Sequence, residues 1–214
     1  MNQAQSPSHD YTHSVRTQIE PLAAIIFEEV RQTLADYPVE RISYRVKTVE
    51  SFEAKSKRIH KKTGKLRYPQ PLRDITDIIG VRVVVRFLSQ MHDVAALLRK
   101  DFRTAEIESK EPDLTSAFGY FGTHLLLLIP QDIFPKDYPQ AVLPDKFELQ
   151  LKTVFQHAWA EAEHDITYKS TSQWTDDQKR QIAFTAAQAW GADQIFDTLY
   201  RTTNQNEDTL QDET

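Results

Sequence analysis

The stretch that most constrains the fold is Asp74-Ile-Thr-Asp-Ile-Ile-Gly-Val-Arg-Val-Val-Val-Arg-Phe87, whose run from Val81 to Phe87 is dense in β-branched residues and reads as a central strand. Asp77 then stands near the start of that strand. Around it, Arg41 to Thr48 alternates Ile42, Tyr44 and Val46 with polar residues, as a half-buried strand does, and a helix is expected to follow through Lys62. Phe102 to Ser109 and Thr123 to Pro130 read as two further strands, with a short helix over Met91–Lys100 before them. Lys146 to Thr153 reads as a last strand, with Phe147, Leu149 and Leu151 on one face and Glu148, Gln150 and Lys152 on the other. That alternation turns Glu148 away from the apolar side, toward a face where a polar cleft can form.

The sheet is bracketed by amphipathic helices. Ile19, Leu22, Ala23, Ile26, Phe27, Val30 and Leu34 recur at helical spacing and end before Pro38. Val154–Lys169 carries an expected core stripe of Val154, Phe155, Ala158, Trp159, Ala162 and Ile166, and Gln178–Tyr200 is a further amphipathic helix. The expected organisation is a disordered leader over 1–14 and a single domain over 15–203. That domain has an N-terminal helix over 15–36, a core over 39–169 and a helical extension over 176–203. A frayed acidic tail, 204–214, follows.

Composition narrows the function classes. With no cysteine among 214 residues, neither a disulfide framework nor a thiolate metal site is available. The N-terminal residues lack the basic start and apolar run of a secretory signal, and no stretch approaches the ~18 apolar residues of a membrane span. A cytoplasmic location without membrane partners is the expectation. The net charge of -5 argues against a general nucleic-acid binder, yet Lys55 to Arg73 holds Lys57, Arg58, Lys61, Lys62, Lys65 and Arg67 with no acidic residue among them. A local anion site in an acidic protein is thereby implied, with Lys57, Arg58 and Arg73 the weaker candidates for contact.

Asp77 and Glu148 on two strands, the basic segment, and Tyr120 between Gly119 and Gly122 form the combination that phosphoryl chemistry needs. Carboxylate oxygens suit magnesium, cations neutralise phosphates, and an aromatic face holds a base. Each feature alone also fits a cap residue, a solvated face or a packed loop aromatic.

The strings RISYRVKTVESFEAK, DITDIIGVR, GYFGTH and FELQLKTVFQHAWAEAEHDITYK, in this order between Val39 and Lys169, resemble the synthetase domain of the RelA/SpoT family, in particular the stand-alone small alarmone synthetases. The resemblance implies a mixed β-sheet of about five strands flanked by helices, an α/β fold of nucleotidyltransferase type. It implies transfer of the pyrophosphate group of ATP to the ribose 3′-hydroxyl of GDP or GTP, with release of AMP. Asp77 matches the Mg2+-binding aspartate, and Glu148 the second acidic residue, associated with the metal and with activating the acceptor hydroxyl. Arg45, Lys47, Ser51 and Lys55 match a pattern that contacts ATP, and Tyr120 matches the tyrosine that stacks on the acceptor base, with His124 at the family's spacing. Arg82 and Lys152 supply further charge near the phosphates or form structural ion pairs. A homotetramer or other homo-oligomer through the terminal helices is also implied.

The chain departs from the family before Tyr120, where SKEPDLTSAFGY replaces the usual basic stretch; Lys110 remains, and Ser116 stands where a lysine is common. The acceptor is therefore open between GDP, GTP, GMP, an adenine nucleotide and the 3′ end of tRNA. Long family members also carry a His-Asp hydrolase domain, but His9-Asp10, His92-Asp93 and His164-Asp165 lack its all-helical scaffold. His157, Glu161 and His164 share a helical face that can hold a metal or, as the blander reading has it, form a hydrogen-bonded polar face. A nucleotide-binding module without turnover is the non-enzymatic alternative.

Overall fold

A computed structural model describes residues 7–109, 119–120, 122–140, 142–169 and 174–212. Lys110, Ser116, Phe118 and Phe121 lie outside the described residues. The helices are α1 (Pro7–Ser14), α2 (Glu20–Thr33), α3 (Val49–Ser56), α4 (Pro71–Asp74), α5 (Leu88–Asp101), α6 (Val154–Lys169) and α7 (Asp176–Asp212). Five strands, β1 (Arg41–Val46), β2 (Ile79–Val85), β3 (Thr104–Ser109), β4 (Thr123–Leu128) and β5 (Lys146–Thr153), form one sheet in the order β1-β2-β5-β4-β3. β2 and β5 are parallel and every other pair is antiparallel, so the sheet is mixed.

Register divides this sheet into two unlike faces. Val81 pairs with Leu149 and Leu149 with Leu125, while Val83 pairs with Leu151, giving an apolar face whose central side chains are fully buried beneath α2 and α5. Burying each such side chain contributes roughly 1.5–3 kcal/mol. One residue over, Ser43, Arg82, Gln150 and His124 line up across four strands, and Arg45, Gly80 and Glu148 form the next row. The strict two-residue period thus places the polar members of β1, β2, β4 and β5 on one side.

α6 packs against this polar face, which changes its buried stripe. Gln156 is buried, whereas Val154 and Ile166, expected in the core, are 39% and 55% exposed. A helix covering polar strands turns its hydrogen-bonding side chains inward.

Three boundaries also differ from expectation. Helix begins at Pro7 and continues through a π-helical turn, Val15–Ile19, into α2. That turn precedes Pro21, whose ring crowds the preceding turn and whose missing N–H cannot close the α ladder. Tyr11, completely buried, anchors the segment that composition suggested was disordered. α3 stops at Ser56, and a small hairpin follows, with Arg67 donating to the Arg58 carbonyl at 2.8 Å and His60 to that of Lys65 at 2.8 Å. Gly64, at φ +67°, supplies the left-handed turn. α7 runs on to Asp212 through most of the expected tail.

α7 docks by two carboxylates one turn apart. Asp193 Oδ2 accepts from Thr153 Oγ1, and Thr153 Oγ1 also accepts from the N–H of Gln156 while Gln156 Oε1 accepts from that of Thr153, a reciprocal cap at the start of α6. Asp197 Oδ1 accepts from the N–H of Ser89 at 2.7 Å, at the start of α5. Each carboxylate meets the positive end of another helix. Among the described residues no helix is long and apolar enough to cross a membrane.

Candidate active site

Asp77 ends the segment leading into β2, three residues before Gly80, which pairs with Glu148. Its carboxylate is gripped on both oxygens: Lys47 Nζ donates to Oδ2 at 2.8 Å and Lys55 Nζ to Oδ1 at 3.0 Å. Burial pushes this carboxyl upward, but the two ammonium groups outweigh it and hold it below its ordinary value. Lys47 follows β1 directly, and Lys55 lies in the last turn of α3, whose N-cap Thr48 accepts from the N–H of Ser51 at 3.3 Å. Lys55 and Arg67 both stand over the ring of Tyr68, which ties the basic hairpin to the site.

Glu148, opposite Gly80 on β5, is held by two partners of its own. Oε1 lies 2.8 Å from His124 Nδ1, and Oε2 accepts from Gln150 Nε2 at 2.6 Å. Gln150 Oε1 accepts in turn from Arg82 Nε at 3.3 Å, and Arg82 donates to Glu161 at 2.5 Å and lies 3.4 Å from His157 Nδ1. One chain of polar contacts thus runs from β4 to α6. Burial raises the Glu161 carboxyl, but Arg82 more than reverses this, and burial with the Arg82 charge lowers the His157 imidazole. A cavity of about 480 Å³ opens on this face, lined by Ser43, Arg45, Gly80, Arg82, Gln150, Glu161 and His164. Arg45 lies over Gly80, where its side chain would be in contact with any added Cβ.

The structure therefore gathers the expected residues into two groups. Lys47 and Lys55 bind Asp77, with Ser51 on the same helix as Lys55 but bonded to Thr48; Arg45, Arg82, Glu148 and His124 share the face with the cavity. Lys152 is buried on the same face beside Gly122. Tyr120 stands apart: its ring is 7% exposed, and its hydroxyl donates to Asp193 at 2.5 Å. Burial and the Asp193 hydrogen bond push this phenol well above its ordinary value, so it remains a donor. Gln150, Tyr68, Thr153 and Asp193 were not singled out from sequence. The parity of Gln150 with Glu148 along β5 was the available signal for the first, and for the last the four-residue spacing of Asp193 and Asp197, the two charged residues between Arg180 and Arg201.

Asp77 and Glu148 are carboxylates of the kind that suits magnesium, and in this structure the oxygens of the first are engaged by Lys47 and Lys55 and those of the second by His124 and Gln150.

The model of the family described as "Region found in RelA / SpoT proteins" matches residues 44–173. GTP pyrophosphokinase YwaC of Bacillus subtilis (strain 168) is 28% identical over 167 residues, 73% of each chain. The crystal structure of small alarmone synthetase 1 from Bacillus subtilis superposes with a TM-score of 0.70 at 20% identity, covering 92% of this chain and 99% of that one. The same protein bound to its product pppGpp gives a TM-score of 0.63 at 19% identity, covering 92% and 94%. The chain belongs to the RelA/SpoT family and has the small alarmone synthetase fold.

Proposed function

We propose that this protein transfers the pyrophosphate group of ATP to the 3′-hydroxyl of GDP or GTP, forming (p)ppGpp and AMP. The observation that carries the reading is the arrangement of Asp77, just before β2, and Glu148, near the start of the adjacent parallel strand β5, the first bound by two lysines and the second by a histidine and a glutamine. The family membership and the GTP pyrophosphokinase relative support it.

In this reading Lys47 and Lys55 balance the charge of Asp77 until a triphosphate arrives, and then share their N–H donors with it. Arg45 and Arg82 line the cavity that takes the adenine nucleotide. Magnesium, held by Asp77 and Glu148, would neutralise charge on the phosphate oxygens. Glu148, oriented by His124 and Gln150, accepts the proton of the acceptor hydroxyl. The acceptor oxygen bonds to the β-phosphorus as the bond from that phosphorus to the α-bridging oxygen breaks, and AMP leaves with that oxygen. No covalent enzyme intermediate is needed; positioning the two nucleotides in line supplies much of the rate. Tyr120, on the loop before β4, is the residue this reading assigns to the acceptor base, although its ring is buried in this structure.

We also read α1 through α7, a unit wider than the expected 15–203, as one synthetase acting in the cytoplasm. Phe184, Ile195 and Leu199 of α7 are 64%, 63% and 58% exposed, with Phe196 and Trp190 beside them. So much apolar surface on one helix supports assembly with further copies of the chain, as a homotetramer or other homo-oligomer.

The test is to incubate the protein with magnesium and β-labelled ATP, offering GDP, GTP, GMP, adenine nucleotides and deacylated tRNA in turn, with Asp77→Asn as control. Label on a guanine nucleotide, lost in the variant, is the expected result. The tRNA arm matters because Lys61, Lys62, Lys65 and Arg67 are exposed on the basic hairpin, where a phosphate backbone would find them. Label on tRNA alone would replace the acceptor assignment, and label on nothing would overturn the activity.

A further inference from the structure

Tyr11 lies on α1, well before the matched region at 44–173. Its ring is fully buried and stacks on Phe52 of α3, with centroids 3.9 Å apart and planes inclined by 7°. Its hydroxyl donates to the carbonyl of Lys47 at 2.6 Å. Lys47 is simultaneously fixed from the opposite side, where its N–H donates to the carbonyl of Ile78 at 2.8 Å. The Lys47 backbone is thus pinned between the residue following Asp77 and the N-terminal helix. Phe52 sits between Ser51 and Lys55 on α3, so the second lysine on Asp77 also leads back to the same tyrosine.

A phenylalanine would fill this apolar slot equally well. What a tyrosine adds is the one bond to Lys47, and burial together with the charge of Asp77 raises the phenol, which keeps it a donor at physiological pH.

We infer that Tyr11 is a positioning residue for the donor nucleotide: through the Lys47 carbonyl and the Phe52 ring it sets the spacing of the two ammonium groups that receive the phosphates of ATP. The inference rests on the proposed role of Lys47 and Lys55. It makes the N-terminal helix a brace for the ATP side of the site rather than the acceptor side, because the hydroxyl bond and the ring stack of Tyr11 lead to Lys47 and α3 and not to β4 or β5.

The experiment is titration calorimetry of the full chain with a non-hydrolysable ATP analogue and magnesium, and separately with GDP, a readout independent of turnover. Tyr11→Phe, which keeps the stack and removes one hydroxyl, is expected to weaken analogue binding about fivefold, the effect of one net hydrogen bond, with GDP binding unchanged. Lys55→Ala is the companion variant and should weaken the analogue more. If Tyr11→Phe binds the analogue as the parent does while Lys55→Ala does not, the inference fails and the site reading survives; equal loss for analogue and GDP also overturns it. If Lys55→Ala has no effect, the lysine reading fails and takes the inference with it. Phe52→Leu, which keeps the hydroxyl but loosens the ring, carries the same comparison should Tyr11→Phe not fold.

Discussion

Asp193 accepts a 2.5 Å hydrogen bond from the hydroxyl of Tyr120, joining α7 to the loop that leads into β4. The same oxygen takes the hydroxyl of Thr153, while Oδ1 meets no donor among the described residues. A buried carboxylate with one oxygen unsatisfied is a cost, tolerated here because it joins α7, the start of α6 and the Tyr120 loop at one point.

That cost has a pH signature. Burial, aided by the charge of Asp197, pushes the Asp193 carboxyl above its ordinary value, with the two hydroxyls only partly compensating. The folded state then holds its proton more tightly than the unfolded chain. Stability from this group is fully present below the unfolded value near 3.8 and is lost as pH rises through the folded one. Asp193→Asn removes the titration. Melting temperatures measured from pH 4 to pH 8 should show the parent falling relative to the variant by a few degrees, on a scale of roughly 2–4 °C per kcal/mol for a chain of this size. A parent that gains on the variant with rising pH would contradict the buried-charge account.

Gly122 makes a separate demand on the same loop. A Cβ built there would collide with the carbonyl oxygen of Leu151 and with Cγ of Lys152. The lysine stem can move, but a strand carbonyl cannot. Gly122→Ala should therefore cost about 1–3 kcal/mol, the usual range for overpacking, read as a lower urea midpoint with an unchanged m-value.

Glu148 and His124 give a test of function separable from folding. Glu148→Gln is nearly isosteric and retains hydrogen-bonding capacity toward His124 and Gln150, yet it cannot take a proton. Turnover should fall by about 10²–10⁴, the usual worth of a positioned general base, while the melting temperature shifts little. A variant that keeps more than a tenth of the parent rate would show that the hydroxyl loses its proton elsewhere.

Much of this site was legible because strand periodicity is local information. Glu148, Gln150 and Lys152 alternate with leucines and a phenylalanine in the sequence itself, and the parallel register with β2 only carries that parity sideways to Gly80 and Arg82. Asp77 was placed by the run of β-branched residues after it. What escaped depends on contacts between distant segments. Tyr11 belongs to a polar, low-hydrophobicity stretch, and its partners, the Phe52 ring and the Lys47 carbonyl, lie about forty residues on in sequence. The stripe of α6 was misjudged because helical periodicity shows which residues share a face but not whether the partner surface is apolar. Here the partner is the polar side of the sheet, so Gln156 turned inward and Ile166 outward. The start of the hairpin after α3 was hidden by lysines that favour helix as far as Lys62, and only the segment from Thr63 to Pro71, with Gly64 in it, reads as turn-rich.

The exposed residues of α7 lead to a prediction about assembly. Ile195 and Leu199 stand one turn apart and outward, on the same helix whose Asp193 and Asp197 point inward, so the two faces of α7 have separate jobs. Replacing both outward residues by glutamate puts charge into any interface built on that face without touching the carboxylate contacts to α5 and α6. Light scattering coupled to size exclusion should then show the parent as an oligomer and Ile195→Glu/Leu199→Glu at a lower mass, at most half. The far-ultraviolet circular dichroism should be unchanged, since both positions are exposed in the single chain. A parent already at the mass of one chain at tens of micromolar would mean that these side chains serve another partner. An unchanged oligomer in the double variant would move the interface to a different surface.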